Sequence, residues 1–385
     1  ESNRVLIINA LTEQPRPVHN LSNARDTETM LELLGNSKKK VLDVKDAGTT
    51  MRFLTAFLAL KGEGQVLTGT DRMKERPIGP LVNALTSIGA KIDYLEQSGF
   101  PPLEVNAIKS QKIKRLEIPG NISSQYISAL LMIAPLLPDG LEISLTTEVF
   151  SRPYIEMTLE IMKKFGAEFS WKKNHIIVEH KPYQAVDFTV ENDWSGASYW
   201  YSFVALGAIG SKVFLPNLRA SSRQGDSAIA KIMEHFGVKS TFDERGVHVE
   251  KVQSSTDEVV LDFKDCPDLA QTVMVSAAIE NTRFEMTGLE SLRIKETDRI
   301  QAMKEQLSKI GASLKEANGK WELRTIKELP EYVHIDTYED HRMAMAFAPA
   351  CQKMNLSIEE PAVVKKSYPT FWEELQKVGF EFSIS

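Results

Sequence analysis

Cysteine is scarce. Cys266 and Cys351 are the two cysteines among 385 residues, and neither lies in a Cys-x-x-Cys or Cys/His cluster. Structural disulfides and thiolate zinc sites are therefore not expected. No apolar run approaches the roughly 20 residues needed to span a bilayer, so no membrane-spanning helix is expected. A secretory leader pattern is missing as well, so the cytoplasm is the expected compartment. Excess positive charge is also absent: the net charge of −6 argues against nucleic acid as a general partner. If the chain handles anions, a local cluster of cations must do so against that balance. What remains is ordinary for a globular protein, with 42% hydrophobic and 25% charged residues. A chain of 385 residues exceeds what one core fills, and two domains are expected. It starts with Glu1 rather than Met and enters a helical pattern at once, which reads as a truncated beginning.

A repeat runs along the chain. Leu81, Leu85 and Ile88 are spaced i, i+4, i+7, and Gly89 follows. Similar stripes are Ile155, Leu159, Met162 before Gly166; Ile229, Met233, Phe236 before Gly237; and Ile300, Met303, Leu307, Ile310 before Gly311. Phe371, Leu375, Val378 before Gly379 make a fifth copy, and Leu31, Leu34, Gly35 a weaker one. Each reads as an amphipathic helix stopped by a glycine able to take the left-handed conformation. Period-two segments follow, as in Ala90–Tyr94, Ala167–Trp171 and Phe380–Ile384, with turn residues and a second strand such as Ile176–Glu179. Apart from the first pair, the glycines lie roughly 70 residues apart, far beyond solenoid periods. About six helix-plus-hairpin units imply a duplicated α/β domain, three copies before Val190 and three after it. Asp187 to Asp193 is the expected crossing between the halves.

Between the repeats lie polar segments where loops enter helices. Asp46-Ala-Gly-Thr-Thr-Met-Arg52 precedes an apolar helix running to Leu60. Gly48 admits a close backbone approach, Thr49 and Thr50 place hydroxyls and free N–H groups at a helix start, and Arg52 follows one turn in, which is anion-binding chemistry. Asn121-Ile-Ser-Ser-Gln-Tyr126 leads into a helix over Ile127–Leu137, and its two serines and glutamine suit a phosphate with neighbouring hydroxyls. Ser151-Arg-Pro-Tyr154 opens another helix, with Ser151 expected as its N-cap, and Arg76-Pro77 does the same. Taken singly, each is an ordinary helix start; four with an arginine or hydroxyl at the mouth shift the odds. The second half is denser. Leu292-Arg-Ile-Lys-Glu-Thr-Asp-Arg299 packs acids and bases onto a loop between the strand Phe284–Met286 and a helix that Asp298 is expected to cap. A solvated face is the usual reading of such a run. Asp340-His-Arg-Met-Ala-Met345 opens an apolar helix, where a His-Arg pair is costly to bury without an anionic partner. Asp193, Asp268 and Lys365-Lys366-Ser-Tyr-Pro369 complete the set.

Together with Ser2-Asn-Arg4, Glu75-Arg-Pro77 and Pro267-Asp268, these motifs resemble, in order and over the whole chain, the 5-enolpyruvylshikimate-3-phosphate synthase family. The 292–299 and 340–345 segments are the specific ones. The resemblance implies an α/β fold of two similar globular domains, each of three β-α-β-α-β-β repeats forming an inside-out α/β barrel, hinged about a cleft. Residues 1–190 would form the first half, mainly for shikimate 3-phosphate. Residues 191–385 would form the second, mainly for phosphoenolpyruvate and acid–base chemistry. The expected activity is transfer of the enolpyruvyl group of phosphoenolpyruvate to the 5-hydroxyl of shikimate 3-phosphate in chorismate and aromatic amino-acid biosynthesis.

Carried over by position, Arg4, Ser123, Ser124, Gln125, Ser151, Tyr154, Asp268, Ser291 and Lys295 would bind shikimate 3-phosphate. Gly48, Arg76, Gln125, Arg299, Arg342 and Lys366 would bind phosphoenolpyruvate. Arginine's planar fork suits carboxylate and phosphate. Glu296 would act as general acid and later base, and Asp268 would take the proton of the 5-hydroxyl. No metal or organic cofactor is expected, and the enzyme is expected to be a cytoplasmic monomer. The resemblance further implies a Lys-Ser pair directly before Ser2, preceded by a strand of the second half's sheet. The sequence begins after both, so weak binding or no turnover is expected of the chain as it stands. Ser291 stands where some relatives have asparagine, and Phe53 where many have proline or leucine. Retention of Gly48 implies inhibition by glyphosate. Two alternatives stay open. A cell-wall enolpyruvyl transferase would take a UDP-sugar and carries a reactive cysteine in its first half, where this chain has none. A non-catalytic scaffold would not need Glu296, Asp268, Arg342 and Lys366 together.

Overall fold

Residues 1–383, apart from the side chain of Ile294, are described by the computed structural model. The chain forms two compact units, Glu1–Val190 and Glu191–Ser385, each with its own apolar core.

The first unit contains helices α1 (Ser2–Ala10), α2 (Arg25–Gly35), α3 (Gly48–Lys61), α4 (Asp71–Lys74), α5 (Gly79–Ile88), α6 (Ser124–Ile133) and α7 (Arg152–Lys164). Its strands are β1 (Val18–His19), β2 (Val41–Asp43), β3 (Glu63–Thr68), β4 (Lys91–Tyr94), β5 (Leu103–Asn106), β6 (Arg115–Ile118), β7 (Leu141–Leu145), β8 (Phe169–Lys172), β9 (His175–Val178) and β10 (Phe188–Thr189). The second unit contains α8 (Trp194–Leu206), α9 (Ile229–Ile232), α10 (Ala270–Ile279), α11 (Arg299–Lys309), α12 (His341–Phe347) and α13 (Phe371–Lys377). Its strands are β11 (Lys212–Pro216), β12 (Val238–Asp243), β13 (Gly246–Lys251), β14 (Glu258–Asp262), β15 (Arg283–Thr287), β16 (Ala312–Ala317), β17 (Lys320–Thr325), β18 (Tyr332–Ile335) and β19 (Asn355–Ile358).

Three sheets share one wiring, with orders β2-β3-β5-β4, β6-β7-β9-β8 and β14-β15-β17-β16. In each, the first two strands are parallel and joined through a helix (α3, α6 or α10), and the last two form an antiparallel hairpin. This is the β-α-β-α-β-β unit. The sheet β11-β13-β12 has three strands, and β1–β10 and β18–β19 are two-stranded parallel pairs. Burial explains the layering. Helices α6, α8 and α10 carry no charged residue, and every residue of α8 and α10 except Ser195 is buried. Such helices cannot face water and occupy the interior. The strands alternate instead, as in β6 and β18, so the sheets form the outer layer.

The repeat glycines stop their helices as expected. Gly89, Gly166, Gly237, Gly311 and Gly379 all have positive φ. At Gly237 a Cβ would sit 1.9 Å from the Gln253 carbonyl oxygen, so no other residue fits without moving backbone. The weaker copy behaves differently: Gly35 is the last residue of α2 and is not among the positive-φ glycines. Asn318 and Gly319, both at positive φ, form the two-residue turn between β16 and β17. Three local expectations need correction. Residues 380–383 form no strand, and Ile384 lies outside the described residues; Phe380 and Phe382 pack instead on Phe203 and Trp372. Pro77 does not open a helix; α5 begins two residues later, with Pro80 in its first turn. The α-helix from Ser124 ends at Ile133 and tightens to a 3₁₀ turn over Ala134–Leu136.

Candidate active site

In the first unit the loop-to-helix junctions meet. Gly48 opens α3, and a Cβ on it would lie 2.6 Å from Arg52 Nη1 and 2.7 Å from Arg76 Nη1. The missing side chain is what lets the Arg76 guanidinium lie against this helix start. Arg52 Nη1 donates back to the Gly48 carbonyl at 2.8 Å. From α6, Gln125 Nε2 donates to Thr49 Oγ1 at 2.9 Å, and the Tyr126 hydroxyl donates to the Pro77 carbonyl. Gly48, Thr49, Arg76 and Gln125 are thus brought together. Ser123 is the N-cap of α6, accepting from the Gln125 N–H at 3.4 Å. Ser151 occupies the N-cap position of α7 but makes no capping hydrogen bond there; at φ 54° it is left-handed, correcting the expectation of an ordinary cap. A non-glycine residue held there costs about 1 kcal/mol or more and signals a local demand beyond helix initiation.

Arg4, on α1, is buried between α6 and α7. Its Nε donates to Thr158 Oγ1 at 2.6 Å and its Nη2 to Ser128 Oγ at 3.4 Å, while its guanidinium carbon lies 5.3 Å from the centre of the Phe53 ring. Burial lowers its pKa to about 10.

In the second unit, residues at the starts of α10, α11 and α12 form one ionic cluster. Asp268 lies in a 3₁₀ turn leading into α10, Arg299 is the first residue of α11, and Asp340 caps α12 by accepting from the Arg342 N–H at 2.9 Å. Arg299 has a side chain only 2% exposed. Its Nε and Nη2 grip Asp340 at 2.7 and 3.3 Å, Nη1 reaches Asp268 at 3.0 Å, and Nη2 also reaches Glu296 at 2.9 Å. Arg342 Nη2 pairs with the other Asp268 oxygen at 3.0 Å. Lys295 Nζ lies 3.5 Å from Asp268, and Lys366 Nζ lies 3.7 Å from Glu296. Around Arg342 stand the Tyr199 hydroxyl at 3.4 Å and Ser195 Oγ at 3.5 Å; Ser195 in turn donates to buried Asp226.

Three carboxylates (Asp268, Glu296, Asp340) thus face four cations (Lys295, Arg299, Arg342, Lys366). Burial alone would push the Asp268 carboxyl up, but Arg342, Lys295 and Arg299 together hold it well below the usual carboxylate range. Arg299 is held firmly protonated by the same carboxylates. Burial lowers His341 to about 4, so it is neutral near pH 7, and raises Tyr199 to about 12. Beside the cluster's first carboxylate, the Cys266 thiol is pushed up by burial and stays protonated.

Asp268, Lys295, Glu296, Arg299, Arg342 and Lys366 therefore come together in the second unit, and Gly48, Arg76 and Gln125 in the first. Ser291 lies half-buried in the 3₁₀ segment Glu290–Ile294, four residues before Lys295. Sequence reasoning gave no role to Ser128, Thr158, Ser195, Tyr199 or Asp340. Four of these had a legible signal. Ser124/Ser128, Tyr154/Thr158 and Ser195/Tyr199 are (i, i+4) pairs that put polar groups on one side of largely buried helices. Among the described residues, no group of three or more His, Cys, Asp or Glu side chains is arranged to hold a metal ion, and no helix is long and apolar enough to cross a membrane.

Comparison with known proteins identifies the family. Residues 35–375 match the family model for EPSP synthase (3-phosphoshikimate 1-carboxyvinyltransferase). A 3-phosphoshikimate 1-carboxyvinyltransferase of Bacteroides fragilis (strain YCH46) is 45% identical over 388 residues, covering 100% of this chain and 94% of the relative. One from Sulfurovum sp. (strain NBC37-1) is 38% identical, with 98% and 94% covered. The solved EPSP synthase of Acinetobacter baumannii superposes with a TM-score of 0.82 at 21% identity, over 100% of this chain and 94% of that one, which shows the shared fold. By sequence and by fold, the chain belongs to the EPSP synthase family and is an enolpyruvyl (carboxyvinyl) transferase.

Proposed function

We propose that the second-unit cluster supplies the acid–base chemistry by which the enolpyruvyl group of phosphoenolpyruvate moves to the 5-hydroxyl of shikimate 3-phosphate, with release of phosphate. The observation that carries this reading is the pairing of Asp268 and Glu296 with four cations in one buried cluster. Glu296 protonates the methylene carbon of the donor, creating an oxocarbenium-like centre. Asp268, kept ionised by its neighbours, takes the proton of the attacking 5-hydroxyl. The tetrahedral adduct then loses phosphate, which carries off the proton held by Asp268, as Glu296 removes a methyl proton. Each acid–base role contributes roughly 3–5 kcal/mol, and fixing the two reactants about 7–11 kcal/mol.

Donor binding is assigned to Gly48, Arg76 and Gln125 in the first unit and to Arg342 and Lys366 in the second. Arg299 serves the donor through the carboxylates it holds. Acceptor binding is assigned to Arg4, Ser123, Ser124, Gln125, Ser151, Tyr154, Asp268, Ser291 and Lys295. The resting cluster has a further property. Asp268 shares Arg342 with the incoming donor, whose negative charge draws that cation away and restores the carboxylate's affinity for a proton. Both substrates are phosphorylated metabolites that bilayers retain, which favours the cytoplasm. The bare Gly48 lets the Arg76 guanidinium approach the start of α3, and glyphosate is expected to compete with the donor there.

The test is phosphate release by the full-length protein on mixing phosphoenolpyruvate with shikimate 3-phosphate. Release with UDP-N-acetylglucosamine as the only productive acceptor would move the chain to the cell-wall branch. Binding of both substrates without release would make it a scaffold. Absence of micromolar inhibition by glyphosate would refute that part alone, with Phe53 the first residue to replace.

A further inference from the structure

Arg4 differs from the site arginines of the second unit in what holds it. Arg299 and Arg342 are gripped by carboxylates. Arg4 is 8% exposed and lies on neutral groups: Thr158 Oγ1, Ser128 Oγ and the Phe53 face. Thr158 Oγ1 is itself fixed, 2.9 Å from Ser128 Oγ and 2.8 Å from the Tyr154 carbonyl. Ser128 and Thr158 are both 0% exposed, so neither hydroxyl has solvent as an alternative partner. The two hydroxyls engage one N–H of Nε and one of Nη2, which leaves three of the five guanidinium N–H bonds for an anion. Neutral anchors bring no counter-charge of their own, whereas a carboxylate in their place would screen the guanidinium directly; the Glu1 carboxylate acts on it through space. Each anchor lies one helical turn after an acceptor-binding residue, Ser128 after Ser124 on α6 and Thr158 after Tyr154 on α7.

We propose that Thr158 and Ser128 are positioning residues for acceptor recognition, a neutral hydroxyl clamp that aims the Arg4 guanidinium at the anionic acceptor. The inference rests on the assignment of Arg4 to shikimate 3-phosphate. Thr158→Val keeps the shape and removes the hydroxyl under Nε. The Michaelis constant for shikimate 3-phosphate should rise about 10-fold or more, with that for phosphoenolpyruvate unchanged and kcat within about threefold. Thr158→Ser should return the acceptor constant to within about threefold of the parent, and Ser128→Ala should raise it about threefold, its bond being the longer. A merely structural role would instead lower thermal stability and disturb both substrates together. If Thr158→Val does not fold, Ser128→Ala decides the matter. The comparison enzyme is Arg4→Met. Normal acceptor affinity in it sinks the assignment of Arg4 and this inference with it. Lost affinity there, with parental behaviour in Thr158→Val and Ser128→Ala, overturns the clamp alone.

Discussion

Replacing Arg299 by lysine keeps one positive charge at the centre of the second-unit cluster but removes the fork that reaches three carboxylates. The guanidinium makes four contacts of 2.7–3.3 Å, two with Asp340 and one each with Asp268 and Glu296. A single ammonium nitrogen cannot span them; at best it keeps two, and the side chain is too buried for water to replace the rest. Losing two charge-assisted bonds, with the charge retained, should cost about 3 kcal/mol. Four of the five tryptophans, Trp194, Trp200, Trp321 and Trp372, lie in the second unit, so fluorescence during urea unfolding reports mainly on it. With a urea slope of roughly 3 kcal/mol per molar for a unit of this size, the midpoint should fall by about 1 M. Turnover should fall by about 100-fold, because Asp268 and Glu296 lose their common anchor. A midpoint within about 0.2 M of the parent would refute the reasoning, since it would mean that the fork contributes nothing a point charge does not.

Gly48→Ala should cost less than about 1 kcal/mol, because the atoms a Cβ would meet are the ends of the Arg52 and Arg76 side chains, which can shift. Their displacement should raise the phosphoenolpyruvate constant several-fold and weaken glyphosate inhibition, measured in parallel by steady-state kinetics. The pH dependence of stability has a definite sign at His341. Its folded pKa of about 4 lies below the unfolded value near 6.5, so the unfolded chain binds more protons between those values. Its contribution is full above pH 6.5 and is lost as pH falls toward 4, by up to about 3 kcal/mol. His341→Gln should flatten the second unit's melting temperature over that window. An unchanged slope would show that the buried imidazole does not titrate in the unfolding reaction.

The repeat was legible because its signal is local. An apolar stripe, a glycine and an alternating segment recur together, and the positive φ of Gly89, Gly166, Gly237, Gly311 and Gly379 is what that pattern demands. The cap at Asp298 was legible for the same reason, since that residue stands directly before the helical pattern it opens. What a residue touches across the fold was not. Nothing near Ser151 in the sequence encodes its left-handed backbone, which is set by the surrounding structure. Asp340 entered the sequence reading only as the head of its His-Arg motif; its cap on α12 is a structural finding, and its grip on Arg299 depends on packing between elements 41 positions apart. Thr158 and Ser128 hid among apolar neighbours, where only the (i, i+4) spacing from more conspicuous residues pointed to them.

The short pair β1–β10 bears on how the first unit assembles. Val18 faces Phe188 and His19 faces Thr189, and the Asn20 side chain adds a bond to the Val190 carbonyl, 170 positions away. Two residues per strand return little for closing so large a loop, so the pairing should form only after both intervening sheets exist. It works as a clasp fastened last. Weakening it should hasten unraveling of the first unit while leaving the rate of its assembly almost untouched.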